Sequence, residues 1–130
     1  MNHLNPTAIL YIDDDKENLI GFESAFSNAF KIITAESTKQ AYRILKDEGS
    51  IGIVLVDYKM PKEDGISFVL RIKDEFPQKV FIIITAWVEI NRIIGEIPVN
   101  PFYGFIEKPW NYNDVEAILS NASQLYQSKA

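Results

Sequence analysis

Four places in the chain put reactive side chains directly after short runs of aliphatic and β-branched residues. Asp13, Asp14 and Asp15 follow Ala8 to Ile12, and Asp57 follows Ile53 to Val56; Thr85 and Ala86 follow Val80 to Ile84, and Lys108 and Pro109 follow Phe105 to Ile106. In an open parallel sheet, ligands bind beyond the carboxyl ends of the strands, near the point where strand order reverses. The spacing therefore predicts that these acids, the hydroxyl and the ammonium converge on one edge. Two carboxylates about 4 Å apart repel by roughly 4 kcal/mol at an effective dielectric of 20, so Asp13, Asp14 and Asp57 need counter-charge. Lys108 supplies one positive charge, and a divalent cation would supply the rest. An all-oxygen set, in a chain with no cysteine and one histidine, favours Mg²⁺ or Mn²⁺ over Zn²⁺. That histidine, His3, lies in the N-terminal tail and is expected to take no part. A metal, a carboxylate, a lysine and a hydroxyl are the parts that clamp a transferring phosphoryl group, whose transition state needs charge neutralisation and in-line positioning.

Each residue alone has an ordinary explanation. Asp15, next to Lys16 and Glu17, reads as a helix N-cap, worth about 1 kcal/mol. A threonine ending a strand commonly bonds to backbone, and a lone Lys-Pro is usually a surface turn. Phe105 and Trp110 read as core aromatics. The combination, not any single member, points to a site.

The elements that must position these groups alternate along the chain. The runs Lys31 to Ala35, Ile53 to Val56 and Val80 to Ile84 are continuously apolar or nearly so, the pattern of strands buried on both faces, which predicts a parallel sheet. Helical periodicity separates them: Leu19, Phe22 and Phe26 in the first helix, and Val115, Ile118, Leu119, Ala122 and Leu125 in the last, from Asn113 to about Gln127. Ser37 and Gln40 form a capping-box pair opening a second helix that stops near Gly49. Asp64 is the expected N-cap of a third, which ends before Pro77. Gly95, Pro98 and Pro101 cut a fourth short and predict a loop-like segment. Five alternations give an α/β three-layer sandwich with right-handed crossovers.

The chain has 130 residues, 18 acidic against 13 basic, and 47% hydrophobic residues. That length supports one core. The acidic balance and the lack of a Lys/Arg cluster argue against nucleic acid or an anionic membrane as partner. Absence of a signal pattern and of an apolar span predicts a cytoplasmic protein.

Ile9-Leu10-Tyr11-Ile12-Asp13-Asp14-Asp15, Val54-Leu55-Val56-Asp57-Tyr58-Lys59-Met60-Pro61 with Asp64-Gly65, Ile84-Thr85-Ala86 and Phe105-Ile106-Glu107-Lys108-Pro109-Trp110 resemble, in order and spacing, the receiver domain of two-component response regulators. The resemblance covers essentially the whole chain. It implies a flavodoxin-like, doubly wound five-stranded sheet of order 2-1-3-4-5. It implies that residues 1–130 form a single receiver domain, with 1–6 and 128–130 as frayed termini. It further implies that Asp57 accepts a phosphoryl group from a phosphohistidine of a sensor histidine kinase or phosphotransfer protein. Asp14, Asp57 and the Lys59 backbone carbonyl would bind Mg²⁺ directly, and Asp13 through water. Lys108 would pair with a phosphoryl oxygen, and its bond to Pro109 would be cis. Thr85 would move toward the phosphoryl group and Phe105 would turn inward, a population shift that controls downstream proteins and homodimer formation.

Phe105 stands where the family often has tyrosine. Tyr58, Lys59 and Trp87 occupy positions that commonly tune autodephosphorylation, and a shielding Trp87 with a cationic Lys59 predicts slow loss of phosphate. The helix around Asn18 to Phe26, with Glu17, Asn18 and Glu23, is the implied kinase-docking face. Only three residues follow the last predicted helix, so the chain reads as a stand-alone regulator or a receiver taken from a longer one. Two other readings compete. One is a small Mg²⁺ phosphohydrolase with Asp13 as nucleophile and Asp15 as acid; the other is a pseudo-receiver that binds proteins without phosphorylation.

Overall fold

The computed structural model describes residues 5–86 and 90–129. Five strands, β1 (Asn5–Ile12), β2 (Phe30–Ala35), β3 (Ile51–Asp57), β4 (Val80–Thr85) and β5 (Phe102–Glu107), pair in parallel in the order β2-β1-β3-β4-β5. This is the expected doubly wound arrangement. Helices α1 (Lys16–Phe26) and α5 (Tyr112–Ser128) cover one face, and α2 (Thr38–Asp47), α3 (Gly65–Ile72) and α4 (Ile90–Gly95) the other. Alternate residues of each strand divide between the two cores. Leu10, Val54, Val56 and Ile83 face α2 and α3, whereas Ile9, Tyr11, Ile53, Leu55 and Ile82 face α1 and α5.

The sequence reading misjudged which strands are buried. Lys31 to Ala35 reads as a strand buried on both faces, yet β2 is an edge strand with Ile32, Ile33 and Thr34 half-buried; β1, β3 and β4 hold the centre. Apolar content reports burial, but position in the sheet comes from topology, which a strand's own residues do not encode. β1 begins at Asn5 and α5 runs to Ser128, so regular structure extends into both segments read as frayed. β5 is longer than Phe105 to Ile106 and carries a register irregularity between the pairs Phe81↔Phe102 and Ile82↔Gly104. The segment expected to be loop-like holds the six-residue α4, ended by Gly95 and the turn before Pro98.

Caps fix where the helices start. Asp15, Ser37, Asp64 and Asn111 each accept backbone N–H groups at the head of α1, α2, α3 and α5. Ser37 accepts from the Gln40 N–H, but the Gln40 side chain returns to the Glu36 N–H, closing the capping box one residue early. Val115, Leu119 and Ala122 anchor α5, whereas Leu125, read as part of its buried face, is exposed. Tyr126 packs instead, against Gly52.

Candidate functional site

The carboxyl ends of β1, β3, β4 and β5 bring together the residues singled out from the sequence. Asp13 is fully buried and Asp57 nearly so, while Asp14 is exposed. Carboxylate oxygens of the three lie within 4.8 Å of one another. Lys108 reaches over them from the end of β5, its Nζ 3.1 Å from Asp13 Oδ2 and 3.2 Å from Asp57 Oδ2. The Lys108–Pro109 bond is cis, as expected. Asp57, Lys59, Thr85, Ala86 and Lys108 line a cavity of about 260 Å³.

Local sequence explains each placement. Lys108 N–H donates to the Thr85 carbonyl, tying the β5–α5 connection to the end of β4. The Gly65 N–H donates to the Tyr58 carbonyl, closing the β3–α3 loop under Asp57. A Cβ at Gly65 would lie 2.3 Å from the Asp57 carbonyl oxygen, so the helix can start this close to the site only with glycine there. Lys62 in the same loop adopts φ 73°, an uncommon conformation for a residue with a side chain.

The electrostatics separate the two buried acids. Burial raises Asp57 first and the negative charge of Asp13 adds to it; Lys108 opposes both only in part, and the carboxyl is pushed up to about 6. Burial also works against ionised Asp13, but the Tyr11 hydroxyl, the Asp15 N–H and Lys108 outweigh it and hold that carboxyl below its ordinary value. Burial lowers Lys108, yet the two carboxylates more than restore it, so it stays cationic. Three carboxylates against one ammonium leave an uncompensated negative charge in an all-oxygen donor set with one exposed member. Those are the conditions a hard divalent cation such as Mg²⁺ fits.

Two participants escaped the sequence reading. Tyr11, fully buried, donates to Asp13 Oδ2 at 2.6 Å, and Asn18 Nδ2 donates to the same oxygen at 3.1 Å. Residues two apart on a strand share a face, and a buried phenol needs a partner, so Tyr11 was within reach of the pattern. Asn18, read as part of a docking face, turns toward the site. Asp15 spends its Oδ1 on the N–H groups of Glu17 and Asn18, the N-cap role of its ordinary reading.

Phe105 is 43% exposed, not a core aromatic, while Thr85 is buried. Trp110 is half-buried and packs against the core, 5.4 Å from the Phe26 ring. Trp87 and His3 lie outside the described residues.

Comparison with known proteins agrees with this geometry. The chain is 28% identical over 119 residues to the hydrogenase transcriptional regulatory protein HoxA of Bradyrhizobium diazoefficiens, covering 92% of this chain and 24% of that one. It is 29% identical over 111 residues to the transcriptional regulatory protein CpxR of Escherichia coli K12, covering 84% and 46%. The chain thus spans a quarter to a half of the length of these relatives. A crystal structure of a response regulator receiver domain protein from Clostridium thermocellum superposes with a TM-score of 0.86 at 25% identity, covering 95% of this chain and 99% of that one. The sequence also matches the response regulator receiver domain over residues 9–120, a stretch that contains every member of the acidic cluster together with Thr85 and Lys108. With the sheet order, the clustered acids and the sequence match in agreement, the chain belongs to the response regulator receiver domain family.

Proposed function

We propose that Asp57 accepts a phosphoryl group from a phosphohistidine on a histidine kinase or phosphotransfer protein. The observation that carries this reading is the Asp57 carboxylate, buried beside Asp13 and facing the Lys108 ammonium at 3.2 Å in a small cavity. An Asp57 oxygen attacks phosphorus, the O–P bond forms as the N–P bond breaks, and the imidazole nitrogen leaves with the electron pair. Lys108 neutralises a phosphoryl oxygen, and Thr85, at the cavity wall, donates its hydroxyl to another. Asp13, Asp14, Asp57 and the Lys59 carbonyl would hold Mg²⁺. Bound there, the ion would offset charge on the acids and the incoming phosphoryl oxygens.

Movement of Thr85 toward the phosphoryl group vacates space beside β5, and the exposed Phe105 ring turns into it. The change at the surface of α4, β5 and α5 is what a downstream protein or a second copy reads. Residues 1–130 act as one cytoplasmic receiver domain whose only chemistry is its own phosphorylation and slow dephosphorylation.

Incubation with acetyl phosphate and Mg²⁺ followed by intact-mass measurement tests this. The parent should gain a phosphoryl group and Asp57→Asn should not. Equal labelling of both would show that the nucleophile is elsewhere, and no labelling of the parent would favour a pseudo-receiver.

A further inference from the structure

Asp13 is bonded asymmetrically. Its Oδ2 accepts from Tyr11 Oη at 2.6 Å, Asn18 Nδ2 at 3.1 Å and Lys108 Nζ at 3.1 Å. Its Oδ1 accepts the Asp15 N–H, at 2.9 Å, its one bond among those of the described residues. A carboxylate oxygen has two lone-pair directions, so three donors leave Oδ2 none, and Oδ1 keeps one. Two of the three donors are fixed from below. The Tyr11 ring packs 4.7 Å from Phe22, and Asn18 sits in the first turn of α1, where Asp15 caps its own N–H. Lys108, the third donor, also reaches Asp57.

This arrangement bears on which cation the acids select. Mg²⁺ is small, takes single carboxylate oxygens and keeps several waters, whereas Ca²⁺ gathers six to eight oxygens and commonly uses both oxygens of one carboxylate. We propose that Tyr11 and Asn18 are positioning residues that keep Asp13 Oδ2 out of coordination and so set a preference for Mg²⁺ over Ca²⁺. The inference rests on the reading of the acidic cluster as a divalent-cation site. It also gives Asp13 two donors that remain when Lys108 turns to a phosphoryl oxygen, so a wholly buried oxygen is not left unpaired.

Titration calorimetry of the phosphate-free protein with MgCl₂ and with CaCl₂ tests it without any phosphodonor. In Tyr11→Phe/Asn18→Ala, the ratio of Mg²⁺ to Ca²⁺ affinity should fall roughly ten-fold, because a freed Oδ2 offers Ca²⁺ the bidentate carboxylate that Mg²⁺ does not use. Both affinities falling together, or an unchanged ratio, overturns the proposal, since a purely structural role would weaken the two ions alike. If the double variant does not fold, each single variant should still move the ratio by about two-fold in the same direction, and its failure to do so overturns the proposal equally. A parent that binds neither ion overturns the cation-site reading and this inference with it. A parent that binds both with a ratio insensitive to the substitutions overturns this inference alone.

Discussion

At the end of the sheet where the strands begin, Asn5, Thr7, Ser123 and Gln127 close a neutral ring of hydrogen bonds; at the end where they finish, three carboxylates cluster and one ammonium bridges two of them. In the ring, Thr7 and Ser123 hydroxyls lie 2.6 Å apart, Ser123 donates to Asn5 at 2.7 Å, and Gln127 donates to Thr7 at 3.0 Å. The Thr7 and Ser123 hydroxyls, the Asn5 side-chain carbonyl and the Gln127 amide N–H are partnered within the ring, which fastens α5 to β1. At the other end, hydrogen bonds are equally complete, and among the described residues no buried side-chain N or O lacks a partner. Charge is not complete there. Satisfying hydrogen bonds and balancing charge are separate requirements, and this fold meets both only where nothing has to bind.

The largest expected effect comes from adding one methyl group at each end. Gly65→Ala forces a Cβ to within 2.3 Å of backbone at Asp57 and should cost about 3 kcal/mol in chemical denaturation, with loss of acetyl-phosphate labelling. Gly52→Ala meets the Tyr126 ring and the Thr7 methyl. Because a half-buried ring can turn aside, it should cost about 1–2 kcal/mol and leave labelling intact. Equal costs at the two ends would break the comparison.

Removing one polar group at each end should act in opposite directions. Thr7→Val should destabilise by about 1–2 kcal/mol at every pH, since it strips the ring of a hydroxyl and involves no charge. Asp57→Asn should stabilise the metal-free protein by about 1–2 kcal/mol at pH 7.5. The sign follows from the raised carboxyl, at about 6 when folded against its ordinary 3.8. The acid contributes stability below pH 4, where it is protonated in both states, and that contribution is lost as pH rises through 6. Denaturant melts in chelator should therefore show the gain growing between pH 4 and 6, then levelling. A gain independent of pH would mean that like-charge crowding is not its source.

The smallest effect concerns backbone strain near the site. Lys62→Gly should stabilise by about 0.5 kcal/mol, as relief of the positive φ slightly exceeds the entropy that glycine loses on folding. A loss of stability on thermal melting would place the strain elsewhere.

The sequence was informative where a local rule sufficed. Asp13, Asp14, Asp57, Thr85 and Lys108 were recognisable because each follows a strand-like run, and Asp15, Ser37 and Asp64 because helix starts have chemical signatures. Rules that act across the sheet were out of reach. That β2 and not β1 lies at the edge depends on the pairing of whole strands, and the expected order came from the family resemblance alone. The exposure of Phe105 depends on β5 lying at the outer edge of the sheet, which the residue's own type does not encode. The role of Asn18 depends on a side chain reaching back from α1 to Asp13, just past the end of β1 and five residues away in sequence.

The register irregularity where β5 joins β4 also matters for how molecules meet one another. β5 is the outer strand on that side, and an unpaired strand edge is a template on which another chain can add. An extra residue there kinks the strand and increases its twist, so its outward N–H and C=O groups do not present the flat, regular row that a neighbouring edge would need. At the opposite edge, β2 carries the exposed Lys31, a charge that sheet-to-sheet stacking would have to bury. Tyr103 and Phe105 leave apolar surface exposed on β5, so the strand with the more apolar edge is also the one whose regular row of backbone groups is broken.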